Sequence, residues 1–224
     1  IVYPQPAALE IIQDKGSQKE FYVEHDVPTS DFNHFADKAT IQEAIDKGII
    51  RLPFVQKACQ DGYDGKGVMV IKSKSDLDAL MDTKSIVEDL VDIDKEIAVI
   101  VARNPQGEIV TYPVVEMEFH PTANLVEYLC CPANISDEIK TRAAQLAKEV
   151  SIAYDIIGLL AVEMFLTKDG KILINEVAPR PHNSGHHTFD AAHTSQFEQH
   201  LRSILNLPLG DTSNLSASVM INLL

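Results

Sequence analysis

Two apolar runs, 157–166 and 171–177, flank the turn Lys168-Asp-Gly170, and each carries one carboxylate, Glu163 and Glu176. Apolar runs of this length around a Lys-Asp-Gly turn read as a β-hairpin. Counted outward from the turn, the two glutamates fall near the same end. Their neighbours Val162, Met164, Ile174 and Val177 imply strands that are mostly buried. Two carboxylates facing one another in a core are costly unless a cation joins them. Asn175 adds a neutral oxygen, and hard oxygen donors at this density suit magnesium, with phosphates completing the shell. The plainer alternative is that each glutamate points to solvent from its own strand. Either way, the chain must build at least one antiparallel sheet.

The rest of the pattern mixes helices with further hairpins. Residues 7–25 read as helical, with Leu9, Ile12, Phe21 and Tyr22 apolar and a break at Gly16; a second helix fits 36–47, closed by Gly48. Short strands are expected at 51–57 and 67–72, on either side of a glycine-rich turn, followed by a brief helix that Ser75 caps through Met81. Further strands fit 85–89, 96–103, 108–118 and 125–131, with Asn104-Pro-Gln-Gly107 as the turn of another hairpin. The clearest helix spans 136–154. Ile139, Ala143, Leu146, Val150 and Ala153 share one face, Ser136 can cap it, and Asp137 and Glu138 suit its positive end. A last helix, 193–205, stops before Pro208. These elements predict an α+β fold, since strand and helix alternate too irregularly for a doubly wound parallel sheet.

Composition narrows the functional classes. Nineteen basic residues against 33 acidic ones leave a formal charge of −14, which argues against a nucleic-acid binder. A small anionic ligand remains compatible, because a metal ion and a few placed lysines neutralise the site locally. No apolar run approaches the roughly 20 residues of a membrane-spanning helix. Cys59, Cys130 and Cys131 lack a metal-binding spacing and fit reduced thiols in a cytoplasmic protein. The start at Ile1 and the apolar run 219–224 at the other end read as an excerpt from a longer polypeptide.

Three further segments carry possible chemistry. Gly62, Tyr63, Asp64, Gly65, Lys66 and Gly67 place three glycines around a lysine, so backbone amides can approach a phosphate closely. The spacing is not that of a P-loop, and an ordinary glycine-rich hairpin accounts for the same residues. Residues 176–188 concentrate Arg180, His182, Asn183 and Ser184 directly after an apolar strand, where they can converge on an anion such as bicarbonate or phosphate. His182 and His186 would make a metal pair only on a helix, which Pro181 and Gly185 oppose; a surface loop without function is the plainer reading. Glu88 and Glu96 sit at strand ends, where local physics favours simple solvation.

Taken in order, Lys57, the loop Gly62–Gly67, Val87-Glu-Asp-Leu-Val91 with Glu96, Glu163, and Asn175-Glu-Val-Ala-Pro-Arg-Pro-His-Asn-Ser-Gly-His186 resemble the ATP-grasp core of the 5-(carboxyamino)imidazole ribonucleotide synthase family. The resemblance runs from about Pro4 to Leu224. It implies an ATP-grasp fold in which two α+β subdomains clasp the nucleotide, here without the family's flanking domains. Residues 1–48 would be a helical joining segment, 49–91 the small lid, 92–208 the large subdomain and 209–224 the start of a C-terminal extension.

The implied activity is ATP-dependent carboxylation of aminoimidazole ribonucleotide with bicarbonate through carboxyphosphate, with ATP as co-substrate and magnesium or manganese as cofactor. A homodimer is the implied assembly of the full-length enzyme. The resemblance assigns Lys15 and Lys57 to nucleotide contacts, Gly62, Gly65, Lys66 and Gly67 to the phosphate loop, and Glu88 and Val91 to the adenine edge. Glu96 would accept from the ribose hydroxyls. Glu163 and Glu176 would hold the metal with Asn175 beside them. Tyr63, Asp64, Arg180, His182 and Asn183 would surround bicarbonate, the intermediate and the ribonucleotide. Asp61 and Lys66 depart from the family pattern of glycine and arginine, and Lys66 lacks the bidentate fork of arginine. Another ATP-grasp ligase, or an ATP-binding core without activity of its own, shares the metal pair and stays open.

Overall fold

The computed structural model describes residues 2–60, 62, 67–120 and 125–223. Asp14, not Gly16, divides the first helical stretch into α1 (Pro6–Ile12) and α2 (Lys15–Glu24), because its side chain accepts the Ser17 amide at 3.0 Å. Gly16 lies inside α2, where a Cβ would come within 2.9 Å of the His34 ring, so its role is close approach rather than helix breaking. β1 (Phe32–Phe35), absent from the sequence reading, precedes α3 (Lys38–Asp46). Asp37 and Thr40 cap α3 reciprocally, and Gly48 follows it at φ +71°.

β2 (Phe54–Ala58) and β3 (Val68–Ile71) then pair antiparallel. A short 3-10 helix, Lys74–Ala79, is capped by Ser73 rather than Ser75, because the Asp76 carboxylate accepts the Ser73 amide. β4 (Ser85–Asp89) completes a four-stranded antiparallel sheet in the order β1-β4-β2-β3. Ile41, Ala44, Ile50, Phe54, Ile71, Leu80 and Val87 form its core. Each of the larger apolar side chains contributes roughly 1.5–3 kcal/mol by leaving water. β1 and α3, both before residue 49, belong to this sheet and its core.

The larger half is a seven-stranded antiparallel sheet in the order β10-β9-β5-β7-β8-β11, with β6 beside β5. Its strands are β5 (Ile93–Arg103), β6 (Ile109–Thr111), β7 (Val115–Phe119), β8 (Val126–Cys131), β9 (Gly158–Thr167), β10 (Ile172–Ala178) and β11 (Ser218–Ile221). The run expected as one strand at 108–118 divides into β6 and β7. Tyr112 turns its hydroxyl to the Thr194 carbonyl at 2.8 Å, and Pro113 has no amide to continue the ladder.

Helix α4 (Asp137–Ala153) covers one face of this sheet, capped by Ser136, and the apolar side chains of α1 and α2 join the same core. Phe21 stacks on Tyr154 with ring centroids 3.9 Å apart. The final helix starts later than expected. α5 (Thr188–Ala191) is a single turn, and α6 (Gln196–Ile204) begins where Ser195 accepts the Glu198 amide at 3.2 Å. The two halves meet at Pro28–Thr29. Thr29 bridges Ile174 in parallel, and the Ile174 amide donates to the Pro28 carbonyl at 2.7 Å. Among the described residues, no helix is long and apolar enough to cross a membrane.

Candidate functional site

The β9–β10 hairpin sets Glu163 directly opposite Glu176 in register. A bulge between Ile174 and Glu176 inserts Asn175 as the extra residue, turning its amide to the same edge. The Glu163 side chain is 13% exposed and that of Glu176 42%, so the pair faces the same edge with Glu176 the more open of the two. Burial, with the charges of Glu176 and Glu96 adding to it, pushes the Glu163 carboxyl up to about 8. Burial also works to raise Glu176, but the Lys15 ammonium that bonds it, with Lys57 and His182 nearby, holds it below the ordinary range. Among the described residues a lysine bonds Glu176 and none bonds Glu163. Two facing carboxylates and an amide oxygen are a donor set that fits magnesium or manganese.

Lys57, on β2, reaches across from the small sheet to this edge. Its ammonium donates to Asn175 Oδ1 at 2.9 Å and lies 3.0 Å from Glu88 Oε2. Glu88 is 3% exposed, so strand-end solvation fails for it. Its other partners are Ser30 Oγ at 2.8 Å and the Lys19 ammonium at 3.4 Å. Burial opposes its ionisation, but Lys57 and Lys19 hold it below the ordinary carboxylate range. Glu96, half-buried, faces the cavity between the sheets. Burial lifts its carboxyl to about 7, with Lys57 opposing and Glu118 assisting.

Two cavities meet at the Glu163–Glu176 pair. The first, ≈ 240 Å³, is a slot between the sheets with walls of Val55, Val68, Val70, Ile93 and Phe165; Glu88, Val91 and Glu96 also line it. Its shape and apolar walls suit a planar aromatic ring with polar groups at one end. The second, ≈ 660 Å³, is polar, with Gln13, Gln18, Gln60, Arg180, His182 and Asn183 in its walls. Lys15, Gly62, Phe119, Glu163 and Glu176 line both. Gly67, at φ +79°, closes the β2–β3 hairpin beside the slot, and a Cβ there would lie 3.1 Å from Gly62 Cα. Asp61, Tyr63, Asp64, Gly65 and Lys66 lie outside the described residues, so their expected roles have no geometry here.

The segment after β10 is held by residues that sequence reasoning passed over. Gln196, fully buried at the start of α6, accepts the His182 amide at 2.9 Å and donates to the His182 carbonyl at 2.8 Å. His182 Nε2 comes 3.4 Å from Glu163. Burial, then the Arg180 charge, lowers the imidazole to about 4. Burial thus disfavours the charged form of both groups at this contact. Asn183 donates to Asn222 Oδ1 at 3.0 Å, and Asn222 anchors itself on the Val126 carbonyl at 2.7 Å. Arg180 donates to the Pro181 carbonyl at 3.0 Å and lines the chamber. His186 stacks on Phe197 instead of joining His182, and a 3-10 turn, Asn183–Gly185, separates the two histidines.

Ser30, Gln196 and Asn222 carry no local signal, and Lys19 only a faint one. The one hint was Lys19 itself, a lysine on the apolar side of α2 beside Phe21 and Tyr22.

The ATP-grasp domain family matches residues 20–197 of the chain. An N5-carboxyaminoimidazole ribonucleotide synthase of Bacillus subtilis is 40% identical over 226 residues, covering 99% of this chain and 58% of the relative. Among solved structures, the N5-carboxyaminoimidazole ribonucleotide synthetase of Thermotoga maritima is 44% identical with a TM-score of 0.86, covering 99% of this chain and 57% of that one. An N5-carboxyaminoimidazole synthase of Aspergillus clavatus, in complex with ADP and 5-aminoimidazole ribonucleotide, is 31% identical with a TM-score of 0.89, covering 98% and 59%. The chain thus spans rather more than half the length of these relatives.

Proposed function

The chain belongs to the ATP-grasp family, and from that premise we propose that it carboxylates 5-aminoimidazole ribonucleotide with bicarbonate at the expense of ATP. The products are 5-carboxyaminoimidazole ribonucleotide, ADP and phosphate, made through carboxyphosphate. The observation that carries the reading is the position of Glu163 and Glu176 in the shared wall of an apolar slot and a polar chamber. A ligase needs that arrangement, with a phosphoryl donor on one side and its acceptors on the other. The names of the relatives and the two ligands of the Aspergillus clavatus complex support the same assignment.

Adenine would lie in the slot against Val55, Val70 and Phe165, with Glu88 and the Val91 backbone at its edge and Glu96 accepting from the ribose. Lys15 and Lys57 would take the phosphates, with Gly62, Gly65, Lys66 and Gly67 closing over them. A divalent cation held by Glu163 and Glu176, with Asn175 alongside, would supply charge neutralisation at the transferring phosphoryl group. In the first step a bicarbonate oxygen attacks the γ-phosphorus and the bond to the β–γ bridging oxygen breaks, releasing ADP. Lys57 and Lys15 stabilise the charge that develops on the leaving phosphate. The amine nitrogen then attacks the carboxyl carbon, phosphate leaves, and the nitrogen loses a proton. Arg180, His182 and Asn183, together with Tyr63 and Asp64, would hold bicarbonate and ribonucleotide in the chamber, away from bulk water. The site acts in the cytoplasm, in a homodimer of the full-length protein.

The test is ADP release from Mg·ATP with bicarbonate and the ribonucleotide omitted in turn. Product formation that requires both is the expected result. Turnover driven equally well by another carboxylic acid, or independent of bicarbonate, would reassign the acceptor.

A further inference from the structure

Lys19 is the least exposed lysine among the described residues, at 2%, and it lines neither cavity. Its ammonium donates to Thr29 Oγ1 at 2.6 Å, to Ser30 Oγ at 2.8 Å and to the Ser30 carbonyl at 3.0 Å, so its donors are used without any exposed partner. Thr29 Oγ1 passes the contact on to the Ile174 carbonyl at 2.8 Å, next to Asn175. Ser30 Oγ donates to Glu88 Oε2 at 2.8 Å, and the Lys19 ammonium lies 3.4 Å from Glu88 Oε1. Glu88 therefore stands between two lysines, one buried and one facing the slot. A buried charge is kept at a cost that an apolar residue of the same shape would avoid, so it calls for a role other than packing.

We infer that Lys19 is a positioning residue for the phosphate end of the nucleotide, which it influences only through Glu88 and Lys57. The inference rests on the assignment of the slot to ATP. Facing Lys57 alone, the Glu88 carboxylate would neutralise that ammonium and draw it back from the cavity. Sharing the carboxylate with Lys19 leaves the cluster with a surplus positive charge, two ammonium groups to one carboxylate. It also fixes the carboxylate so that Lys57 points at Asn175 and the cavity. Burial draws the Lys19 ammonium down to about 8, against the pull of Glu88, which leaves it charged at neutral pH. Asp31 on the adjoining segment is the remaining charge close enough to act on it.

The test is a double-mutant cycle read by calorimetric titration with Mg·ADP. Lys19→Met in the intact protein should weaken Mg·ADP binding about tenfold, Lys19→Arg should restore it to within about threefold, and in a Glu88→Gln background Lys19→Met should change it by less than about twofold. A residue that merely stabilised the fold would lower the melting temperature and leave affinity additive across the cycle. If Lys19→Met does not fold, Ser30→Ala removes the hydroxyl shared by Lys19 and Glu88, and should weaken binding about threefold with the same dependence on Glu88. Additive effects, or unchanged affinity in the folded variants, would overturn the inference while leaving the nucleotide assignment in place. Failure of the unaltered protein to bind Mg·ADP would overturn both.

Discussion

Glu88, buried, and Glu163, largely withdrawn from solvent, line the same slot, yet their carboxyls shift in opposite directions. Glu88 lies between Lys19 and Lys57, and those two charges outweigh burial and keep it ionised. Among the described residues no lysine or arginine bonds Glu163; its neighbour is His182, whose imidazole burial lowers, and burial raises the Glu163 carboxyl to about 8. Burial is therefore not what separates a structural carboxylate from a ligand. The separation comes from whether the protein supplies the compensating cation itself or leaves that place for a bound one. Glu88 is satisfied internally and organises the donor side. Under the proposed function, Glu163 is the group left for a bound cation.

The contrast breaks most visibly in stability. Glu88→Gln leaves two buried ammonium groups without their shared carboxylate and should cost about 3 kcal/mol or more in urea unfolding. In the same assay with chelator, Glu163→Gln replaces a carboxyl that is already neutral and should cost under about 1 kcal/mol. Equal losses would erase the distinction.

Catalysis separates the two sides next. Glu176→Gln should lower ATP turnover on the order of 10²-fold while the circular dichroism spectrum stays native. Near-normal turnover at saturating magnesium would remove the metal assignment. Arg180→Ala lies on the chamber side, so it should leave Mg·ADP affinity within about twofold and raise the KM of the ribonucleotide about tenfold. Parallel weakening of ADP would move Arg180 to the nucleotide.

The smallest expected effect is a slope with pH. Glu163 is protonated when folded up to about 8, whereas a free glutamate ionises near 4.3. Between those values the native state holds a proton that the unfolded state has released. The contribution to stability is full at low pH and is lost as pH rises through the folded value. In chelator, the melting temperature of the unaltered protein should therefore fall more steeply from pH 6 to pH 9 than that of Glu163→Gln. Parallel curves would mean that Glu163 is ionised in the folded protein.

What the sequence made legible follows the range of the interactions involved. The β9–β10 hairpin and its facing glutamates could be read directly, because two apolar runs and the Lys-Asp-Gly turn between them are local. α4, with its Ser136 cap and apolar face, was readable for the same reason. β1 was missed because Phe-Asn-His-Phe is four residues long with a polar centre, and becomes a strand only by pairing with β4. Glu88 looked solvated because Ser30, which bonds it, is 58 residues away in sequence. The Gln196 clamp on His182 spans 14 residues and depends on where α6 starts, which the helical pattern placed too early.

The measurement that bears most directly on Glu163 and Glu176 as the metal pair is the linkage between magnesium and ADP. Titrating ADP into the unaltered protein and into Glu163→Gln, each with and without magnesium, separates the metal from the slot. Magnesium should tighten ADP binding at least about tenfold in the unaltered protein and by less than about twofold in the variant, with metal-free affinities alike. A variant that gains as much from magnesium as the unaltered protein would show that the cation sits elsewhere.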